Sequence, residues 1–348
     1  MNKMKKLSQF AALALAAALA VSLTACGGGG SASPSPSASA PAPSASAPAE
    51  STPAAEKYVV GICQLAPHPA LDAATQGFKD ALTEALGDKV EIKEQNAGGE
   101  VPNCATIIDG FVAEKVDLLL ANATPALTAA ASATADIPIL GTAVTNYGVA
   151  LDLDTTEDKV LGGNISGTSD LAPLDQQAQM LHDLFPDAQN VGLLYCSGEA
   201  NSLFQVEGVQ GYLEEMGYTC TQYAFTDVND LSSVAQNAVD NSDVLYIPTD
   251  NTAANNTETI ANIVLPAKVP VVAGEEGICK GCGCVTLSID YYELGQITGQ
   301  QAVDILTGAK SVSETAIGFD TTLDKKYNAA NCEALGITVP EDYVAIEG

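Results

Sequence analysis

Residues 58–96, YVVGICQLAPHPALDAATQGFKDALTEALGDKVEIKEQN, decide how the chain folds. The apolar run Tyr58 to Gln64 reads as a strand, and after it Leu71, Ala74, Phe78, Leu82 and Ala85 recur at helical spacing. Pro69 opens that helix and Gly87 stands just past its end, the asymmetry expected of helix termini. VEIKEQN then reads as a second strand. Strand, helix and strand in that order form a β-α-β unit, whose crossover helix makes the two strands parallel.

Working outward, the alternation continues through NCATIIDGFVAEK, VDLLLAN, PALTAAASATA and IPILGTA. A second series follows: VGLLYC, SLFQVEGVQGYLEEMG, TCTQYAF, LSSVAQNAVDN, VLYIPT, a helix from about Asn251, and VPVVAG. Two doubly wound α/β lobes with parallel sheets, joined near GGNISGTSD, fit this length better than one very large sheet. The expected lobes are 57–165 plus 289–312 and 166–288 plus 313–348.

With 47% hydrophobic residues among 348, the chain has ample material for two cores. Its formal charge is -29, and all 14 cations are lysine. Such a surface repels phosphate backbones and anionic lipid, which argues against nucleic acid as a partner. No G-x-S-x-G elbow, H-E-x-x-H pair or phosphate-binding glycine loop is present, and there are only 2 histidines. An enzyme is therefore not expected, nor a cofactor.

The first 25 residues have the pattern of an export signal: Lys3, Lys5 and Lys6, an apolar run from Phe10 to Leu23, then small residues before Cys26. That run is shorter than the about 20 residues a spanning helix needs. The sequence LTAC resembles the bacterial lipobox, which implies cleavage before Cys26 and a lipid on its sulfur; an ordinary secretory signal is the alternative. Residues 26–56, rich in Gly, Ser, Ala and Pro, cannot bury a core and read as a tether spanning roughly 30 Å.

Open parallel sheets bind ligands beyond the carboxyl ends of their strands. There, APHPALD, NATPALT and SDLAPLD each present a proline-opened helix, with Thr124 placed as an N-cap. In the second series, YCSGEANSLF and YIPTDNT occupy the same places, and Asn201 or Ser202 can cap a helix with Gln205 completing a box. Asp170, Glu199, Asp250, Glu275 and Asp290 accumulate at strand or hinge ends and would suit a bound amine, Asp170 and Asp290 above all.

HPALDAATQGF, NATPAL, GTAVT, GGNISGTSDLAPL, LLYCSGEANS, YIPTDNT and SIDYYELGQITGQQA occur in this order, and the chain from about Tyr58 to Pro340 resembles the tryptophan/tyrosine-type substrate-binding lipoproteins of ABC transporters. The resemblance implies the type I periplasmic-binding-protein fold, with three hinge crossings and closure over a small, often aromatic, amino acid. It implies a first-lobe wall of Gln64, His68, Pro69, Ala70, Ala123, Thr124, Pro125 and Thr145. The second wall would be Ser169, Asp170, Glu199, Ala200, Asn201, Ser202, Asp250 and Asn251, with Glu275 and Asp290. Without arginine, the ligand carboxylate would rest on hydroxyl and main-chain donors around Thr124, Thr145 and Ser202, while Asp170 or Asp290 takes the ammonium. Tyr147, Tyr291 and Phe204 are candidate aromatic linings.

The implied partners are an ABC permease with its ATPase and the membrane, reached through the lipid, with the protein a monomer on the extracytoplasmic face. A ligand-sensing receptor, or a binder of another small solute such as a nucleoside, would share this sequence pattern. GICKGCGCVTL departs from the family in carrying Cys279, Cys282 and Cys284. A metal there lacks a fourth ligand, since His68 and His182 lie elsewhere, so a local bridge involving Cys279 is the better expectation, with all eight cysteines beyond Cys26 left reduced in an anaerobic host as the alternative. Cys63, Cys196 and Cys220 read as buried small hydrophobes.

Overall fold

The computed structural model describes residues 57–153 and 159–347. The export signal, Cys26 and the tether lie outside the described residues. In chain order the first series is β1 (Tyr58–Gln64), α1 (Pro69–Leu86), β2 (Val90–Asn96), α2 (Val101–Glu114), β3 (Leu118–Asn122), α3 (Thr124–Ala133), β4 (Ile139–Val144), α4 (Tyr147–Leu151) and β5 (Ile165–Ser169). The second is α5 (Leu174–Leu184), β6 (Asn190–Cys196), α6 (Ala200–Glu215), β7 (Thr219–Phe225), α7 (Val228–Asn241), β8 (Val244–Ile247), α8 (Asn251–Ala254), α9 (Thr257–Ala267), β9 (Val271–Ala273), α10 (Glu276–Gly281) and β10 (Val285–Ser288). The chain closes with α11 (Tyr291–Leu306), β11 (Gly318–Phe319), β12 (Asp324–Tyr327), α12 (Ala329–Leu335) and β13 (Val344–Ala345).

Two sheets result. The first has 6 strands in the order β11-β5-β4-β3-β1-β2, and all of its pairings are parallel. The second has 7 strands in the order β13-β12-β10-β9-β8-β6-β7, with β12 antiparallel to β10. Strands covered on both faces lose the polar alternation of a half-buried sheet, which is why β3, LLLAN, is buried throughout. Apolar clusters lie on both faces of each sheet, around Phe111 and Phe78 in the first and Phe225 and Tyr246 in the second.

The sheets correct the expected lobe limits. β5 pairs with β4, so the first lobe runs through Ser169 instead of ending at 165. β11 returns to pair with β5, so the chain stays in the first lobe beyond 312. Crossings therefore fall at about Asp170, between Ser288 and Tyr291, and between Phe319 and Asp324. What binds α11 to the first lobe is close backbone approach to α1. A Cβ added at Gly77 would come within 2.1 Å of the Tyr292 carbonyl oxygen, and one at Gly295 within 2.1 Å of that of Ala74.

Helix starts also differ in detail. Ala123, not Thr124, occupies the N-cap of α3, and Glu199, not Asn201 or Ser202, that of α6. Pro173 precedes α5 in its N-cap position instead of opening its first turn. No described helix is long and apolar enough to cross a membrane.

Candidate functional site

The carboxyl ends of both sheets face one another across a cleft, and side chains from both lobes meet there. His68 Nε2 lies 3.1 Å from Asn251 Oδ1, and the Thr145 and Thr249 hydroxyls lie 3.4 Å apart. Gln205 Nε2 donates to Thr249 Oγ1 at 2.6 Å and reaches Thr145 Oγ1 at 3.5 Å. The lobes are thus closed on each other. The cavity between them has a free volume of about 10 Å³, room for a single water, so any larger occupant needs the lobes to part or the walls to rearrange.

Of the expected residues, the first lobe contributes His68, Ala70 and Thr145 to the cavity wall, the hinge contributes Asp170, and the second lobe contributes Asn201, Asp250, Asn251 and Glu275. Thr145 is aimed inward by a register shift in β4 around Ala143, whose φ of 51° is left-handed. Ala123, at the end of β3, has φ 91°, a conformation rare for a residue with a Cβ and one that concentrates at functional sites.

Asp170 is the unusual group. It is 5% exposed, its Oδ2 accepts from the Tyr291 hydroxyl at 3.0 Å, and its Oδ1 has no partner among the described residues. Burial raises its pKa, a shift partly offset by the Tyr291 hydrogen bond and by the nearby Thr145 hydroxyl. Burial and Asp170 in turn hold the Tyr291 phenol well above its usual range. Two further buried atoms on the cavity wall are unpartnered among the described residues, His68 Nδ1 and Asn201 Oδ1. A buried polar group left unpaired costs about 1–3 kcal/mol, so their grouping here points to a polar occupant.

The other carboxylates are better satisfied. Glu199 accepts from the main-chain N–H groups of Asn251 and Thr252 at 3.0 and 2.8 Å and from both their side chains, behind the cavity wall. Asp250 accepts from the Cys196 and Ala253 N–H groups, yet burial and the neighbouring Glu199 push it up to about 7. Glu275 accepts from the N–H groups of Gly277 and Ile278, and burial pushes it up to about 7 as well. None of these four carboxylates is joined to a lysine among the described residues. The cavity is an acidic enclosure without an internal cation.

The remaining expected residues lie elsewhere. Asp290 is exposed and caps α11 through the Tyr292 and Glu293 N–H groups, so it cannot meet an ammonium in the cavity. Pro69 and Asp290 line an adjoining groove, and Thr124, Pro125 and Ala200 line another between α2, α3 and the second lobe. Gln64 is turned to Asp72 and Thr75, at 2.6 Å from each, and Ala123 packs in the core. Ser202 is fully buried beneath Asn201, and the Ser169 hydroxyl donates to the Thr145 carbonyl at 2.9 Å in the hinge.

Tyr291 lines the cavity, whereas Tyr147 and Phe204 line a pocket beside the hinge. Leu71, Ala143, Thr249 and Ala254 complete the wall and were not expected. Thr249 directly precedes Asp250 and could have been found by that adjacency; for the three apolar residues nothing in the sequence separates pocket wall from core. The described cysteines are all free thiols, with Cys220 half-buried and the rest buried. No described sulfur is bridged, Cys279 included; Cys284 meets Cys332, and Cys63 meets Cys104.

The family described as ABC transporter substrate binding protein matches residues 59–346. A tyrosine-binding protein of Clostridioides difficile (strain R20291) is 35% identical over 279 residues, 79% of either chain. The solved ABC domain in complex with L-Trp from Streptococcus pneumoniae is 32% identical, covering 82% of this chain and 97% of that one, with a TM-score of 0.78. The ligand-free, open structure of a substrate binding protein with adhesive properties from Clostridium difficile is 35% identical, covering 83% and 99%, with a TM-score of 0.64. At near-equal identity and coverage, the TM-score is higher against the L-Trp complex than against the open structure.

Proposed function

The chain belongs to the ABC transporter substrate binding protein family, and from that premise we propose that it captures a small aromatic amino acid between its lobes and delivers it to an ABC permease. The observation that carries this reading is the unpartnered Asp170 Oδ1, buried in a cavity that holds no lysine. An ammonium is the group that satisfies a desolvated carboxylate with both charge and N–H donors. Asn201 Oδ1, the second unpartnered acceptor on the wall, would share it. The ligand carboxylate would then rest on the hydroxyls of Thr145 and Thr249, which bridge the lobes, so that binding and closure are one event. Ser202 is too deep and Asp290 too far out to take these roles.

Titration calorimetry with tyrosine, tryptophan and phenylalanine tests the reading. Asp170→Ala is expected to weaken binding at least tenfold, which corresponds to about 1.4 kcal/mol. Unchanged affinity would remove the assignment, and binding of a nucleoside with no response to any aromatic amino acid would remove the ligand class.

Family members act on the extracytoplasmic side, and the lipid on Cys26 with the tether after it would keep this one near its permease. Fractionation of cells is the measure: the wild type is expected with the membranes, and Cys26→Ser in the soluble or secreted fraction.

A further inference from the structure

Cys284 and Cys332 are 48 positions apart and meet inside the second lobe. Cys284 directly precedes β10, Cys332 lies in α12, and they are 0% and 3% exposed. Cys332 Sγ donates to the Cys284 carbonyl oxygen at 3.4 Å, and the two thiols lie near enough to shift each other's pKa, Cys284 up and Cys332 down. Main-chain and side-chain bonds fix this register without help from sulfur. The Asn328 N–H donates to the Cys284 carbonyl at 2.8 Å, the Asn328 side chain caps α12, and Asn331 Nδ2 donates to the Gly283 carbonyl at 2.8 Å. Helix and strand end are thus pinned on both sides of the sulfur pair. A buried small hydrophobe accounts for one cysteine in a core; it does not account for two held in register by a separate set of bonds.

We propose that Cys284 and Cys332 form a disulfide in the exported protein. Dithiol becomes disulfide with loss of two protons and two electrons, and the acceptor is the disulfide of a thiol oxidoreductase or of a small thiol, which is reduced to its two thiols. The Cys332 thiolate attacks one sulfur of that disulfide, breaks its S–S bond and releases the first thiol. The Cys284 thiolate then attacks Cys332 Sγ in the mixed disulfide and displaces the second. Either cysteine can serve as the first nucleophile, since before the helix docks both thiols are solvated and the order of attack leaves the product unchanged. Because both sulfurs are buried, the exchange belongs to folding, before α12 docks.

The bond would close a loop containing α11 and β11, the whole return of the chain into the first lobe with the second and third crossings. Both of its ends lie in the second lobe, so it restricts the unfolded chain while leaving the hinge free. By contrast Cys282 Sγ donates to the Ile278 carbonyl at 3.4 Å within its own turn.

The test is a non-reducing peptide map of the full-length protein, acid-quenched from membranes and alkylated in denaturant, beside the same protein refolded in oxidised and reduced glutathione. One cross-linked peptide pair holding Cys284 and Cys332 is expected in both, and reductant is expected to lower the thermal midpoint of the wild type but not of Cys284→Ala/Cys332→Ala. Recovery of Cys284 and Cys332 as alkylated thiols in both preparations, or bridged to other cysteines, overturns the proposal. The map decides this even if the double variant does not fold, and the refolded sample does so independently of export.

Discussion

At the scale of residues, the site is governed by one desolvated carboxylate and the protons around it. An ammonium needs Asp170 ionised, while burial favours its neutral form, so affinity is expected to fall as pH drops through its raised pKa. Below that pKa the dissociation constant should rise by up to about tenfold per pH unit, a slope measured by calorimetry at several pH values and flattened in Asp170→Asn. Asp170, Glu199, Asp250 and Glu275 were visible in the sequence as carboxylates at strand ends. What the sequence could not separate was their condition. Glu199 is bonded by two main-chain N–H groups, whereas Asp170 retains an unpartnered oxygen, and that difference arises from contacts far apart in the chain, such as Tyr291 with Asp170.

At the scale of elements, the crossover helix α11 depends on glycine. Gly77 and Gly295 let α1 and α11 touch backbone to backbone, so a side chain at either must push the helices apart. Gly295→Val is expected to destabilise the protein by about 1–3 kcal/mol, seen as a lowered thermal midpoint, although the residue is remote from the ligand cavity. A retained midpoint would show that the helix pair is not tightly held. The strands and helices themselves were legible, because buried parallel strands and amphipathic helices write different periods into the chain. Element ends were less so: Thr124 and Ser202 are capping residue types, yet the chain turns one residue before the first and three before the second. Asp290 misled for the same reason, since a carboxylate at a strand end serves a cap as readily as a ligand.

At the scale of the whole molecule, the closed lobes enclose Asp170, Asp250 and Glu275, each with its pKa raised by burial. A folded-state pKa raised above the unfolded value contributes stability that is present at low pH and lost as pH rises through the folded value. For Asp250 and Glu275 the window runs from the ordinary carboxylate range to about 7. His68 opposes them, because burial lowers its pKa and its contribution is lost as pH falls through the imidazole range. Three groups against one predicts a ligand-free protein whose thermal midpoint is higher at pH 5 than at pH 8, with the difference reduced in Glu275→Gln. An equal midpoint at both values would mean that the lobes open and hydrate these groups. The sequence by itself determined the two α/β lobes, the family and the strand ends that face the cleft, because periodicity and turn chemistry are local. The tertiary structure alone decided that β5 and β11 complete the first sheet, which carboxylate stays unpaired and that Cys284 meets Cys332. Those outcomes depend on segments remote in sequence that come together only when the chain crosses between its lobes.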